Sequence, residues 1–377
     1  MMETTVRRSY DVIVVGGGVA GVSAAVTAAR QGASVFLIEK TVNLGGLATN
    51  GLISWYEPLC DGQGNQMIYG MALELLQLSI RYSFDNLPTA WGGSRDGQGR
   101  YATMFSPTVF SLALDQLVVE SGVKLRLDTY ATYPVMENNH CTGVICESIN
   151  GREFFGANVV IDATGDASIC HRAGIPTELG ENYMTYLTHI TQLQETDACK
   201  NRKWVNVGSD MFGNGHPAHM PMLHADSADA QTEYLLYGKS AMLERVSKMD
   251  RQSYDIMALP AMAQYRMIRR ILGAQDFCAV DGQLCDDSIG ACGDFRPHGK
   301  GKHYTIPYGA LYHKDFDNIL ACGRIISAPH GDGWEVARVI PVCALTGEAA
   351  GKAAAYCAKT GKRVNAIAFG EIVDSRI

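Results

Sequence analysis

Three glycines at fixed offsets, Gly16, Gly18 and Gly21 in the run Gly16-Gly17-Gly18-Val19-Ala20-Gly21, have the spacing that holds a pyrophosphate. Gly16 permits a tight turn, Gly18 lets the backbone approach the phosphates with no side chain between, and Gly21 allows close packing of the helix that follows. Amides at such a helix N-terminus favour negative charge. Glu39 lies about 20 residues further on, where a carboxylate can accept hydrogen bonds from ribose hydroxyls. The chemistry is therefore that of a dinucleotide site, and Glu39 suits the ribose of NAD or of FAD equally well.

The elements that must position these residues are visible around them. Val12-Ile13-Val14-Val15 reads as a buried parallel strand, residues 19–31 as a helix rich in small residues, and Val35-Phe36-Leu37-Ile38 as a second strand ending at Glu39. Residues 43–51 form a small-residue loop whose Gly45-Gly46 pair would bring more amides to a bulky ligand. Helices are expected over 71–82 and 107–121, the second with Ser106 as N-cap and Pro107 in its first turn. A strand over 123–127 leads into a meander of 129–137, 141–149 and 153–155. A separate apolar strand, 157–161, then opens onto Asp162-Ala163-Thr164-Gly165-Asp166, the kind of sheet edge where ligands bind.

From residue 171 the pattern changes. Residues 183–194 alternate as strands, 234–251 and 259–272 read as helices, and Arg266, Arg269 and Arg270 share the second as a solvated or ion-paired face. Residues 87–100, 213–224 and 285–304 read as loops. A strand at 318–322, a long connection over 325–339 and a small-residue helix over 341–360 return to the first pattern. Gly347 and Gly351 on that helix suggest close packing on a sheet or cofactor.

Composition narrows the field. The chain has 377 residues and a formal net charge of -7, with no basic cluster for nucleic acid. No apolar stretch is long enough to span a membrane, and the run behind Arg7-Arg8 reads as the first strand rather than an export signal. Eleven cysteines show no CxxC pair and no zinc spacing, so no metal site is expected and a cytoplasmic setting is. Cys285 and Cys292 are expected to remain separate thiols.

The glycine run with Glu39, Gly45-Gly46, Ala163-Thr164-Gly165-Asp166, and Gly323-Arg324 followed by Arg338-Val339-Ile340-Pro341 together resemble the FAD-dependent oxidoreductase family with a glutathione-reductase-type domain. The resemblance implies an α/β fold: a Rossmann-like FAD-binding domain with a central parallel sheet and a β-meander, plus an inserted mixed α+β substrate domain. Residues 1–170 and 311–377 would form the FAD-binding domain and residues 171–310 the substrate region. Carried over, it implies that Gly16, Gly18 and Gly21 hold the FAD pyrophosphate and Glu39 the adenosine ribose, with Lys40 among the cofactor contacts. Gly45, Gly46 and Thr49 would follow the pyrophosphate and ribityl chain, Ala131 would lie by the adenine, and Gly165 would close over the dinucleotide. Gly323 and Arg324 would approach the ribityl phosphate. The helix starting at Pro341 would aim the Val342 and Cys343 amides at the flavin, where a positive dipole raises its potential.

Flavin chemistry needs a hydride path and a group that handles a proton. His330 is expected near the ring, His303 or Tyr304 across the substrate, and Arg338 at an anionic group or the flavin's O2 edge; His298 and Arg296 are further candidates. Trp55, Tyr56, Tyr69 and Trp91 could line an apolar pocket or fill core and lid. No cysteine closely follows Gly45-Gly46, which argues against dithiol chemistry, and no second glycine fingerprint supplies an NAD(P)H domain. The expected activity is hydride transfer between a small organic substrate and FAD, with an external electron donor or acceptor as a possible partner. A flavoprotein subunit of an electron-transfer complex, or a redox-neutral hydratase or isomerase, are the alternatives.

Overall fold

A computed structural model describes residues 4–63, 65–82, 103–197, 200–210, 213–282, 284–294, 296, 299 and 301–374. The loop expected over 87–100, with Trp91, and His298 lie outside the described residues.

Five parallel strands lie side by side in the order Lys124–Arg126, Val35–Ile38, Tyr10–Val15, Gly151–Asp162 and Ile319–Ala321. Val12, Ile13 and Val14 are wholly buried, as a parallel strand covered on both faces requires. Gly151–Asp162 belongs to two sheets at once. Its first half pairs antiparallel with His140–Ser148, which pairs in turn with Tyr130–Glu137, and its second half joins the parallel sheet. The expected break between 153–155 and 157–161 is therefore absent. Gly156 serves a close crossing instead, since a Cβ there would lie 2.4 Å from the Ser9 hydroxyl.

The Val19–Arg30 helix packs along Ile340–Thr360. A Cβ on Gly347 would lie 2.1 Å from the Ala20 carbonyl oxygen, and one on Gly351 2.4 Å from that of Ala24. The two glycines thus answer a neighbouring helix, not the sheet or cofactor expected. Ser23 adds a hydrogen bond of 2.7 Å to the Ala344 carbonyl. Gly70–Arg81 and Pro107–Glu120 are helices, although Ser106 takes the N-cap backbone conformation without a side-chain cap bond.

A second, three-stranded antiparallel sheet has Thr185–Gln192 between Arg202–Gly208 and Tyr254–Ala258. Tyr186, Ile190 and Val205 on one face pack with Tyr234 and Met242 of the Ala228–Ser247 helix. Residues 259–272 are not helical: only Arg269–Ile271 is regular, as a strand against Thr177–Leu179. Asn182 accounts for this, because its Oδ1 accepts the Arg266 and Met267 amides at 3.0 Å and its Nδ2 donates to the Met267 carbonyl at 2.6 Å. Those bonds take the place of a helical ladder. Residues 285–304 are likewise more than a loop, since Ser288–Gly293 pairs with His303–Pro307. Within 325–339, Trp334–Ala337 forms a single helical turn. Among the described residues, no helix is long and apolar enough to cross a membrane.

Candidate functional site

The glycine turn is built by contact. Gly16 has φ +103°, and a Cβ on it would meet the Ala163 carbonyl oxygen at 2.5 Å; one on Gly21 would fall 1.8 Å from the Gly16 carbonyl oxygen. Gly18 differs, because a Cβ there would meet nothing within 4 Å. Its open face looks into a groove. Glu39, at the end of the second strand, accepts the Gly17 amide at 2.6 Å on one oxygen and the Thr41 amide and hydroxyl at 2.8 Å on the other. The Gly45 amide donates to the Gly17 carbonyl at 2.8 Å, and Gly45 and Gly46 both have positive φ, so the second glycine loop lies against the first.

From this turn the groove runs both ways. One part, about 360 Å³, is lined by Thr129, Tyr130, Ala131, Asp166 and Ser168. The other, about 770 Å³ and open to solvent, passes Gly18, Gly45, Gly46, Gly165, Gly323 and Arg324 to reach Met262, Arg338, Ile340 and Cys343. Gly16, Glu39, Lys40 and Thr164 line both parts, so the groove is continuous. Lys40 Nζ is 3.8 Å from the Asp166 carboxylate. Burial alone would raise Asp166, but Lys40 and hydrogen bonds from Ser168 and Thr164 outweigh it and hold the group below the usual carboxylate range. Arg324 ties the walls together, donating to the Gly165 carbonyl at 2.7 Å and the Tyr265 carbonyl at 3.0 Å.

Of the residues expected at the cofactor, Gly21, Thr49, Pro341 and Val342 do not line this groove. Gly21 acts through the turn. Thr49 is turned inward, its hydroxyl donating to the Leu44 carbonyl at 2.5 Å. The Cys343 amide is spent on the Val339 carbonyl at 2.9 Å, while its side chain faces the groove; Ile340, in the first turn, lines it as well. Burial is the main reason the Cys343 thiol is pushed up to about 12, against the opposing charges of Arg324 and Arg338.

Arg338 is the one residue of the four proposed for catalysis that lines the groove. His330 is about half exposed, 3.7 Å from Glu335. Tyr304 is buried and donates to Asp294 at 2.8 Å, and Arg296 clasps the same carboxylate; burial, then Asp294, pushes Tyr304 up to about 12. His303 lies beside it, its amide 3.4 Å from Asp281. Tyr56 is core, donating to the Ala72 carbonyl, Trp55 bonds to Glu57, and Tyr69 is exposed.

One residue that sequence reasoning passed over is His189. It lies on the face of the cap sheet opposite the helix, wholly buried, with Nε2 3.0 Å from the Leu52 carbonyl and its ring stacked near Trp204. Burial, then the nearby Arg202 charge, lowers it to about 4 despite the Leu52 bond, so the ring is neutral near pH 7. A histidine in an alternating strand carries no sequence signal of this contact.

A parallel sheet with this glycine turn, a ribose-side carboxylate and a continuous groove defines a dinucleotide-binding flavoprotein class. The open face of Gly18 and the groove's passage from Ala131 to Cys343 fit an extended two-ended cofactor. The chain belongs to the family described as FAD dependent oxidoreductase, whose model matches residues 11–271 and 279–375, and FAD is its cofactor. It is 28% identical over 184 residues to digeranylgeranylglycerophospholipid reductase of Methanoculleus marisnigri, a match covering 45% of this chain and 42% of that one. The same-named protein of Sulfolobus acidocaldarius is 27% identical over 174 residues, covering 45% and 37%. The chain thus matches less than half the length of these relatives. In fold it is similar to p-nitrophenol 4-monooxygenase of Pseudomonas putida DLL-E4, at TM-score 0.53 and 13% identity over 98% of this chain and 85% of that one.

Proposed function

We propose that the protein is an oxidoreductase that transfers a hydride between a small organic molecule and FAD. The single observation that carries this reading is the continuous groove, which passes the glycine turn and ends among Arg338, Ile340 and Cys343. When bound, FAD supplies the two-electron chemistry. The chain's part is to bind and orient. Ala131, Glu39 and Lys40 would hold the adenosine end, Gly16, Gly18, Gly45 and Gly46 the pyrophosphate, and Gly165, Gly323 and Arg324 the middle. Arg338 would fix a charge at the ring end, and the cap-sheet face bearing His189 would shield that end from water. An external donor or acceptor completes the cycle. The buried thiols of Cys141, Cys146 and Cys170, unbridged, support a reducing, cytoplasmic setting.

The test is the visible spectrum of the purified protein, before and after FAD reconstitution, followed by a screen for compounds that bleach it. A yellow protein bleached by a substrate is the expected result. A protein that stays colourless after reconstitution overturns the reading, and a flavin that stays oxidised throughout turnover replaces it with redox-neutral chemistry.

A further inference from the structure

Two arginines at the ring end of the groove lack an anionic partner. Arg338 lines the groove and lies over the Trp334 ring at 5.3 Å, with its Nε buried and without a hydrogen-bond acceptor. Glu57 and Glu335 act on it only from a distance. The Glu335 carboxylate is engaged elsewhere, accepting the Gly331 amide at 2.9 Å with His330 at 3.7 Å. Arg266 stands on the extended segment that Asn182 pins, one residue beyond the carbonyl that takes Arg324. Its guanidinium is close enough to Arg338 for each charge to disfavour the other, while Tyr234 and Asp210 offset this weakly; burial is the larger cause, and together they bring it down to about 10. Among the described residues, neither arginine makes an ion pair.

Other arginines of the chain show what is missing. Arg270, four residues beyond Arg266, pairs with Glu178 and Asp276, and Arg126 pairs with Glu153. A partly desolvated guanidinium without an acceptor is costly, and two neighbouring ones cost more. The edge of a flavin ring offers acceptors to one guanidinium, whereas a carboxylate or phosphate can take forked donors from two. Resting on the FAD reading above, we propose that Arg266 and Arg338 form a subsite for an oxyanion, a carboxylate or phosphate, carried by the substrate. The pair would draw the acid to the groove's inner end and hold the rest of the molecule beside the ring.

The test is calorimetric titration of the FAD-loaded protein with benzoate, succinate and inorganic phosphate, with benzamide and succinamide as neutral controls. At least one anion should bind saturably and perturb the flavin spectrum, while its neutral counterpart does not. Carboxylates or phosphate alone binding identifies which oxyanion the subsite takes. Arg266→Gln and Arg338→Gln should each weaken that binding at least about tenfold, or ~1.4 kcal/mol, and Arg266→Lys should restore part of it. If Arg338→Gln fails to fold by circular dichroism, the Arg266 pair of variants decides alone. No binding by any anion, or binding unchanged in the variants, overturns the subsite. So does a changed flavin potential in Arg338→Gln with anion affinity intact, which would make the ring its partner. A protein that holds no FAD refutes the proposed function instead, and the same titrations without FAD still judge the subsite.

Discussion

The two ends of the groove are built on opposite terms. At the adenosine end, polar groups are already paired with one another: Glu39 with Gly17 and Thr41, Asp166 with Lys40 and Ser168. At the ring end, Arg338 and Arg266 are left without acceptors and Cys343 is a buried thiol held neutral. The first end is finished before any ligand arrives. The second is left to be completed by what binds, which suits a site whose ligand must turn over.

Breaking the finished end should have the largest effect. Gly21→Ala drives a methyl into the Gly16 carbonyl and should cost about 3 kcal/mol, seen as a lower melting temperature and loss of yellow colour. Gly18→Ala meets nothing in the protein, so the FAD-free melting temperature should hold while FAD affinity falls; equal melting of both variants would refute the distinction. His189 offers a smaller, pH-dependent effect. Its folded pKa of about 4 lies below the ordinary value of 6.5, so the unfolded chain takes up the proton first. The contribution is whole above pH 6.5 and drains as the pH falls towards 4, by up to about 3 kcal/mol. Thermal melts across that window should show a slope that His189→Gln reduces, and an unchanged slope would show that the ring titrates normally. The smallest effect belongs to His330, half exposed and outside the groove. His330→Ala should alter flavin reduction in stopped flow by less than about twofold, within ~0.5 kcal/mol; a large loss would bring it to the ring after all.

The same contrast explains what could be read from the sequence. Gly16 to Gly21, Glu39 and the Val12 strand are legible because each is set by neighbours a few residues away and by the strand-turn-helix order. The ring end is assembled from segments far apart in the chain. Residues 259–272 have good helix formers, yet Asn182 and Gln264 draw them out: the Gln264 side chain accepts the Leu187 amide at 2.8 Å and donates to the Gly51 carbonyl at 2.7 Å. Local propensity is overruled there by hydrogen bonds more than 70 residues apart in sequence. With the helix goes the ion-paired face, which leaves Arg266 beside Arg338. The histidines were picked for their residue type, and type alone does not say which way a side chain points.

The pairing of Gly347 and Gly351 with Ala20 and Ala24 bears on how the protein is made. The Val19–Arg30 helix leaves the ribosome some 300 residues before its partner, at ~5–20 residues per second, so it waits for tens of seconds. Until Ile340–Thr360 arrives, one wall of the groove and the backing of the glycine turn are both missing. Nascent chains shortened before residue 340 should therefore emerge colourless, and FAD capture becomes a late event of synthesis that reports completion of the last long helix.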